Sequence, residues 1–185
     1  QRRLPDLHPD VKIMSTIGLK GHDGCHFDAY GYRELGENLF RLVARDYYRS
    51  ADTVNIASPN IRKVFYADDA LNRIVVNFDQ PIDWPSGISE DSFRNYFYLD
   101  SVFPGIVDSG RSVGNSIVLY LNAPLAAQYL TYFPDASYTG SVIRNLRGVG
   151  ALSFMDYPVG SGDPNDTLTI SSIRAMAFPE VIEQY

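Results

Sequence analysis

The spacing of apolar residues changes period near residue 55, and that change limits what the chain can fold into. Before it, Val11, Lys12, Ile13, Met14, Ser15, Thr16 and Ile17 make a short β-prone run ending at Gly18, the pattern of a strand buried in a parallel sheet. A loop over 19–27 follows. Asp28 stands where a helix N-cap is expected. Tyr32, Leu35, Leu39, Leu42, Val43 and Tyr47 then recur at steps of three and four, which predicts a helix with a broad apolar stripe. Arg33, Glu34, Glu37, Arg41 and Arg45 fall on its outward face, with Glu37 and Arg41 spaced as an i,i+4 pair.

Beyond residue 60 no comparable helical stretch recurs. Short runs over 63–66, 73–78, 96–99, 116–121, 129–133 and 167–176 are separated by turn signals at Asp68-Asp69, Pro85-Ser86-Gly87, Gly114-Asn115, Asn122-Ala123-Pro124 and Gly160-Ser161-Gly162. Short alternating strands at this spacing predict an antiparallel β-sandwich of roughly 100 to 130 residues. Two units are therefore expected, 1–52 and 60–185, joined by a linker over 52–60. The first cannot stand alone: a single strand has no sheet to pair with, and a striped helix has nothing to cover.

Charge narrows the partners. Sixteen basic residues against 22 acidic give a net charge of −6, the opposite of a nucleic-acid surface. No run of apolar residues is long enough to span a membrane. A single cysteine forbids an internal disulfide. The 13 tyrosines read first as strand filler, and as a hint of sugar or protein contact, since the ring offers an apolar face and a hydroxyl.

All three histidines and the cysteine lie within the first 26 residues, most of them in Gly21-His22-Asp23-Gly24-Cys25-His26-Phe27-Asp28. A loop that leaves a parallel strand and enters a helix sits at the carboxyl end of a sheet, where binding crevices of α/β folds open. Gly24 lets the loop turn sharply enough for the Asp23 carboxylate and the His26 imidazole to meet. The carboxylate would fix the imidazole tautomer and leave the other ring nitrogen to take a proton from a nucleophile. A metal held by His22, Asp23, Cys25, His26 and Asp28 is disfavoured, because consecutive residues on one loop rarely converge on one ion. A Cys25 nucleophile activated by His26 is disfavoured because adjacent side chains usually diverge; an inert, half-buried thiol is expected instead.

The block Asp23-Gly24-Cys25-His26-Phe27-Asp28-Ala29-Tyr30-Gly31-Tyr32, followed by Leu35-Gly36, resembles the last conserved block of the SGNH (GDSL-like) hydrolases. The likeness is closest to their sialate O-acetylesterase and acetylxylan-esterase branch, with Asp-Gly-x-His, then Gly-Tyr, then Leu-Gly. Pro9-Asp10-Val11-Lys12-Ile13-Met14-Ser15-Thr16 resembles the last core strand of those enzymes. The resemblance implies an α/β plus all-β chain, with the C-terminal strand-loop-helix of an SGNH-type three-layer α/β fold followed by an antiparallel β-sandwich. It also implies that Asp23 is the triad aspartate and His26 the general base of a serine esterase acting on acetylated carbohydrate. No cofactor or metal is implied, and the location would be extracellular or periplasmic. The β region, through Asn72-Arg73-Ile74-Val75-Val76-Asn77-Phe78 and Ile143-Arg144-Asn145-Leu146-Arg147-Gly148-Val149, resembles bacterial Ig-like sandwiches.

No Gly-Asp-Ser or Gly-Gln-Ser occurs in the sequence, and Gly114-Asn115-Ser116 reads as a turn entering a strand. The serine is therefore expected on an N-terminal portion of the same hydrolase, as a missing segment or a separate chain, with this chain inactive alone. The competing expectation is a non-catalytic carbohydrate-binding or structural β-sandwich. Of the remaining residues, His22 and His8 are expected at the surface, and Gly31 and Gly36 at close contacts with a neighbouring strand. Trp84 is expected to seal one end of the sandwich rather than stack on sugar, and Asp68-Asp69 to be solvated rather than to bind calcium.

Overall fold

The computed structural model describes residues 2–85, 94–101, 105–134 and 141–160. The run expected over 167–176 lies outside them, as do residues 86–87 and 161–162 of two expected turns. A short helix α1 (Leu4–Leu7) precedes the long helix α2 (Ala29–Tyr48). Among the described residues nine strands follow: β1 (Ile61–Tyr66), β2 (Arg73–Phe78), β3 (Ile82–Asp83), β4 (Phe97–Leu99), β5 (Val107–Val113), β6 (Ser116–Leu121), β7 (Tyr129–Tyr132), β8 (Arg144–Asn145) and β9 (Phe154–Pro158).

Every ladder among the described residues is antiparallel, in sheets ordered β1-β2-β6-β5, β4-β7-β9 and β3-β8. Alternation decides what each strand buries. Ile74, Val76 and Phe78 of β2 and Ile117 and Leu119 of β6 share one core with Phe97 and Leu99 of β4, Leu130 and Tyr132 of β7 and Phe154 of β9. The four-stranded and three-stranded sheets thus close on each other across a single apolar interior. Val75, Val118 and Phe65 form a smaller cluster on the other face of the four-stranded sheet. The β5–β6 hairpin turns at Gly114-Asn115, with Val113 opposite Ser116 and Gly114 at φ +57°, a backbone that glycine adopts without penalty.

Trp84 is buried in this core and lies nearly parallel to Phe97, ring centroids 6.2 Å apart. Its ring edge sits over Gly110 of β5, where a Cβ would come within 2.4 Å of it. The tryptophan seals the sandwich and offers no face to sugar. Asp68 pairs with Arg73 and caps the Ala70 N–H at 3.0 Å, so this carboxylate is engaged by protein groups.

The expected 1–52 unit, described from residue 2, does not form the strand-loop-helix of a three-layer α/β fold. Residues 11–16 belong to no strand, and most of the apolar stripe of α2 stays exposed instead of covering a sheet. A strand exists only where its backbone polar groups meet another strand, and here the backbone bonds found go to local turns and to serine hydroxyls. The Ser15 N–H donates to Ser58 Oγ at 2.8 Å, and the Ser15 hydroxyl donates to the Ala151 carbonyl at 2.9 Å. Ile17 packs against the main core, and its carbonyl would lie 1.9 Å from a Cβ on Gly150. The segment is a strap on the β unit.

Residues 52–60 are tied down as well. Ile56 is buried. The Asn145 amide donates to the carbonyls of Asn55 (2.8 Å) and Ala57 (3.1 Å), while Arg147 pairs with Asp52.

α2 begins as expected, with Asp28 Oδ1 accepting the Gly31 N–H at 2.8 Å. Gly31 lies against the Lys20 carbonyl, 2.3 Å from where its Cβ would be, so its close contact is with the loop rather than a strand. A Cβ on Gly36 would meet nothing within 4 Å beyond its own helix, so none of the described strands packs against it. Of the predicted stripe only Leu42 is buried. Tyr32, Leu39, Val43 and Tyr47, together with Phe40, lie 42–80% exposed along one side of the helix.

Candidate active site

The segment 21–28 folds on itself as a small hairpin. The Asp28 N–H donates to the Gly21 carbonyl at 2.8 Å and the Asp23 N–H to the His26 carbonyl at 2.9 Å, with His22 bridged to Phe27 between them. Gly24, at φ +102°, makes the tight turn. Gly21 is fixed for a different reason: a Cβ there would lie 2.1 Å from the Asp28 carboxyl carbon. The hairpin is therefore pinned against the N-terminus of α2 by the residue that caps the helix.

Asp23 supplies the missing half of the turn. Its Oδ1 accepts the N–H groups of Cys25 (2.9 Å) and His26 (2.6 Å), as a carboxylate does in an Asx turn. These two backbone donors, that of His26 first, hold the Asp23 carboxyl below the usual carboxylate range, so it is anionic at neutral pH. Oδ2 accepts no hydrogen bond among the described residues.

The His26 imidazole does not reach this carboxylate. It is exposed, and its Nε2 lies 3.7 Å from Cys25 Sγ. Cys25 is also exposed, so the expected divergence of the two adjacent side chains and the half-burial of the thiol are both corrected. The tight turn swings the neighbouring Cβ vectors toward one side. Among the described residues no serine hydroxyl hydrogen-bonds to the His26 ring. The loop thus brings Asp23 and His26 together through the histidine backbone and leaves the ring uncommitted to the carboxylate.

His22 is half-buried rather than solvent-facing. Its ring lies against Phe27 at 4.8 Å, and its Nδ1 accepts the Gly24 N–H at 3.2 Å. Phe27 in turn meets Tyr32 edge-on at 6.0 Å. An aromatic row therefore joins the hairpin to the exposed stripe of α2. Sequence spacing gave no sign of it, because residues 22, 27 and 32 become neighbours only when the hairpin closes. His8 is exposed, as expected. Among the described residues no three His, Cys, Asp or Glu side chains converge as a metal site would require.

No protein-family model matches the chain, and no curated protein sequence matches it. Among solved structures, the fold is similar to part of a carbohydrate acetylesterase from Xanthomonas citri, with a TM-score of 0.50 and 16% identity. The match covers 66% of this chain and 27% of that one, so this chain spans about a quarter of that enzyme's length.

Proposed function

We propose that this chain supplies the Asp and His of a Ser-His-Asp triad in a serine-type carbohydrate O-acetylesterase of the sialate O-acetylesterase kind. The serine would be carried by another segment of the same hydrolase or by a partner chain. The observation that carries the reading is the 21–28 hairpin, in which Asp23 is anchored and ionised, its Oδ2 is open, and the His26 ring is exposed beside it. Likeness in fold to a protein named as a carbohydrate acetylesterase supports an esterase-related role. The bare stripe of α2 and the aromatic row leading to the hairpin offer the surface such a segment would meet.

In this reading one His26 ring nitrogen donates to Asp23 Oδ2, and the other accepts the serine hydroxyl proton as Oγ attacks the acetyl carbonyl. The protonated ring returns that proton to the departing sugar oxygen, leaving an acetyl-serine. A water molecule deprotonated by His26 then releases acetate and restores the serine. General-base assistance of this kind contributes ~10²–10⁴-fold in rate.

Hydrolysis of p-nitrophenyl acetate tests it. The chain alone gives no turnover, the assembly with its serine-bearing segment does, and His26→Ala abolishes turnover in the assembly. Near-parental turnover in that variant removes His26 from the mechanism.

A further inference from the structure

The outer face of the three-stranded sheet has a chemistry of its own. Leu130 and Tyr132 of β7 and Phe97 and Leu99 of β4 are buried in the core. Alternation therefore turns Tyr129, Thr131 and Phe133 to the opposite face, along with Tyr98 of β4. Tyr98 stands opposite Thr131, so Tyr129 and Phe133 flank it diagonally. The Phe133 N–H donates to the Tyr96 carbonyl at 3.0 Å, which holds the residue in line with the sheet. Tyr129 is 43% exposed and Phe133 50%. Tyr129 opens β7 and Phe133 lies one residue past its end, so at the extended rise they are about 13 Å apart, the reach of an extended oligomer rather than of one small molecule.

At the Tyr129 end the face opens into a cleft of about 520 Å³ lined by Asp100, Ser101, Gln128, Tyr129 and Asp156. Asp100 is part of its frame, its Oδ1 accepting the N–H groups of Gln128 (2.9 Å) and Tyr129 (2.8 Å). Asp156 donates its N–H to Thr131 Oγ1 at 2.9 Å and receives that hydroxyl on Oδ1 at 3.5 Å, which leaves Oδ2 toward solvent. The Gln128 amide and the Ser101 hydroxyl add donors and acceptors.

We propose that this face binds a neutral oligosaccharide at a site distinct from the 21–28 hairpin. Tyr129 and Phe133 would take the apolar faces of sugar rings, while Asp156 and Gln128 bond hydroxyls in the cleft. The charge of the cleft selects this ligand class. Among the described residues it carries two carboxylates and no basic side chain, so a phosphate or carboxylate ligand is repelled, whereas hydroxyl groups can donate to Asp156. A wholly apolar partner would strip water from both carboxylates without replacing their hydrogen bonds.

Titration of the full chain with xylohexaose and with cellohexaose, followed by calorimetry, tests the site. Saturable one-to-one binding to at least one sugar is expected. Tyr129→Ala and Phe133→Ala each weaken it about tenfold, and Tyr129→Phe, which keeps the ring, stays within about threefold of the parent. Should Tyr129→Ala fail to fold by circular dichroism, Phe133→Ala and Asp156→Asn carry the same comparison. No saturable binding to either sugar, or unchanged affinity in the folded variants, overturns the proposal. So does a dimer that Tyr129→Ala dissociates in sedimentation equilibrium, since a second copy would then be the occupant. The titration needs no catalysis, so its failure leaves the esterase reading untouched.

Discussion

Asp23 Oδ1 accepts the His26 backbone N–H at 2.6 Å, and this contact closes the hairpin that presents the histidine. The same oxygen takes the Cys25 N–H at 2.9 Å. One ionised carboxylate therefore takes the place that a backbone carbonyl has in an ordinary turn.

The pH dependence follows from that contact. Asp23 has its pKa lowered by the backbone donors of His26 and Cys25, so the folded value lies below the unfolded one. Its contribution to the hairpin is present above the unfolded value, about 3.9, and is lost as pH falls through the folded value. The amide proton shifts of Cys25 and His26, followed by NMR between pH 7 and about pH 2, should hold steady and then move together below the ordinary aspartate range. A midpoint at or above that range contradicts the assignment. Asp23→Asn should remove the transition.

Two glycines in one helix respond to alanine with opposite signs. A Cβ on Gly36 would meet open space, so Gly36→Ala stabilises the chain by roughly 0.5–1 kcal/mol through helix propensity. Gly31→Ala gains the same propensity but drives a Cβ to 2.3 Å from the Lys20 carbonyl, and destabilises by about 1–3 kcal/mol. Chemical denaturation of both variants reads the difference; equal effects would mean that the loop does not lie against α2 as described.

Asn145 is the most heavily bonded buried polar side chain described. It donates to Asn55, Ala57 and Gln80 and accepts from the N–H groups of Arg147 and Val149, at 2.8–3.1 Å. Asn145→Ala strands several of these groups and should cost about 2–4 kcal/mol. An urea midpoint shift corresponding to less than about 1 kcal/mol would show that water replaces the amide.

The helix stripe separates packing from exposure. Leu39→Glu and Val43→Glu change residues that are 42% and 43% exposed, and should alter stability by no more than about 0.5 kcal/mol. Leu42→Ala, at 5% exposure, should cost about 2–3 kcal/mol. A large loss from the two glutamate variants would mean that the stripe is covered within this chain.

Much of the β unit was legible in sequence. The runs over 73–78 and 116–121 are strands β2 and β6, and Gly114-Asn115 marks the turn of the β5–β6 hairpin. Strands β5 and β9 escaped notice for identifiable reasons. β5 reads Val-Asp-Ser-Gly-Arg-Ser-Val, with Gly110 in its middle because the Trp84 ring occupies the space above it. β9 carries a register shift opposite Leu130 and Tyr132, with Asp156 at φ +45°, so its alternation breaks.

By itself, the sequence determined the features that rest on neighbours in the chain: the Asp28 cap and the helical run of α2, the turn at Gly24, the runs of the central strands, and the placing of Asp23 close to His26 in one loop. Only the tertiary structure decided what 11–17 pairs with, that α2 leaves most of its stripe bare, and that Asp23 holds the backbone of His26 instead of its ring. Periodicity and capping are local and written in consecutive residues. A strand needs a partner edge and an imidazole needs an acceptor, and the residues that supplied or withheld them, Ser58, Ala151 and Cys25, carry no mark of that role in their own positions.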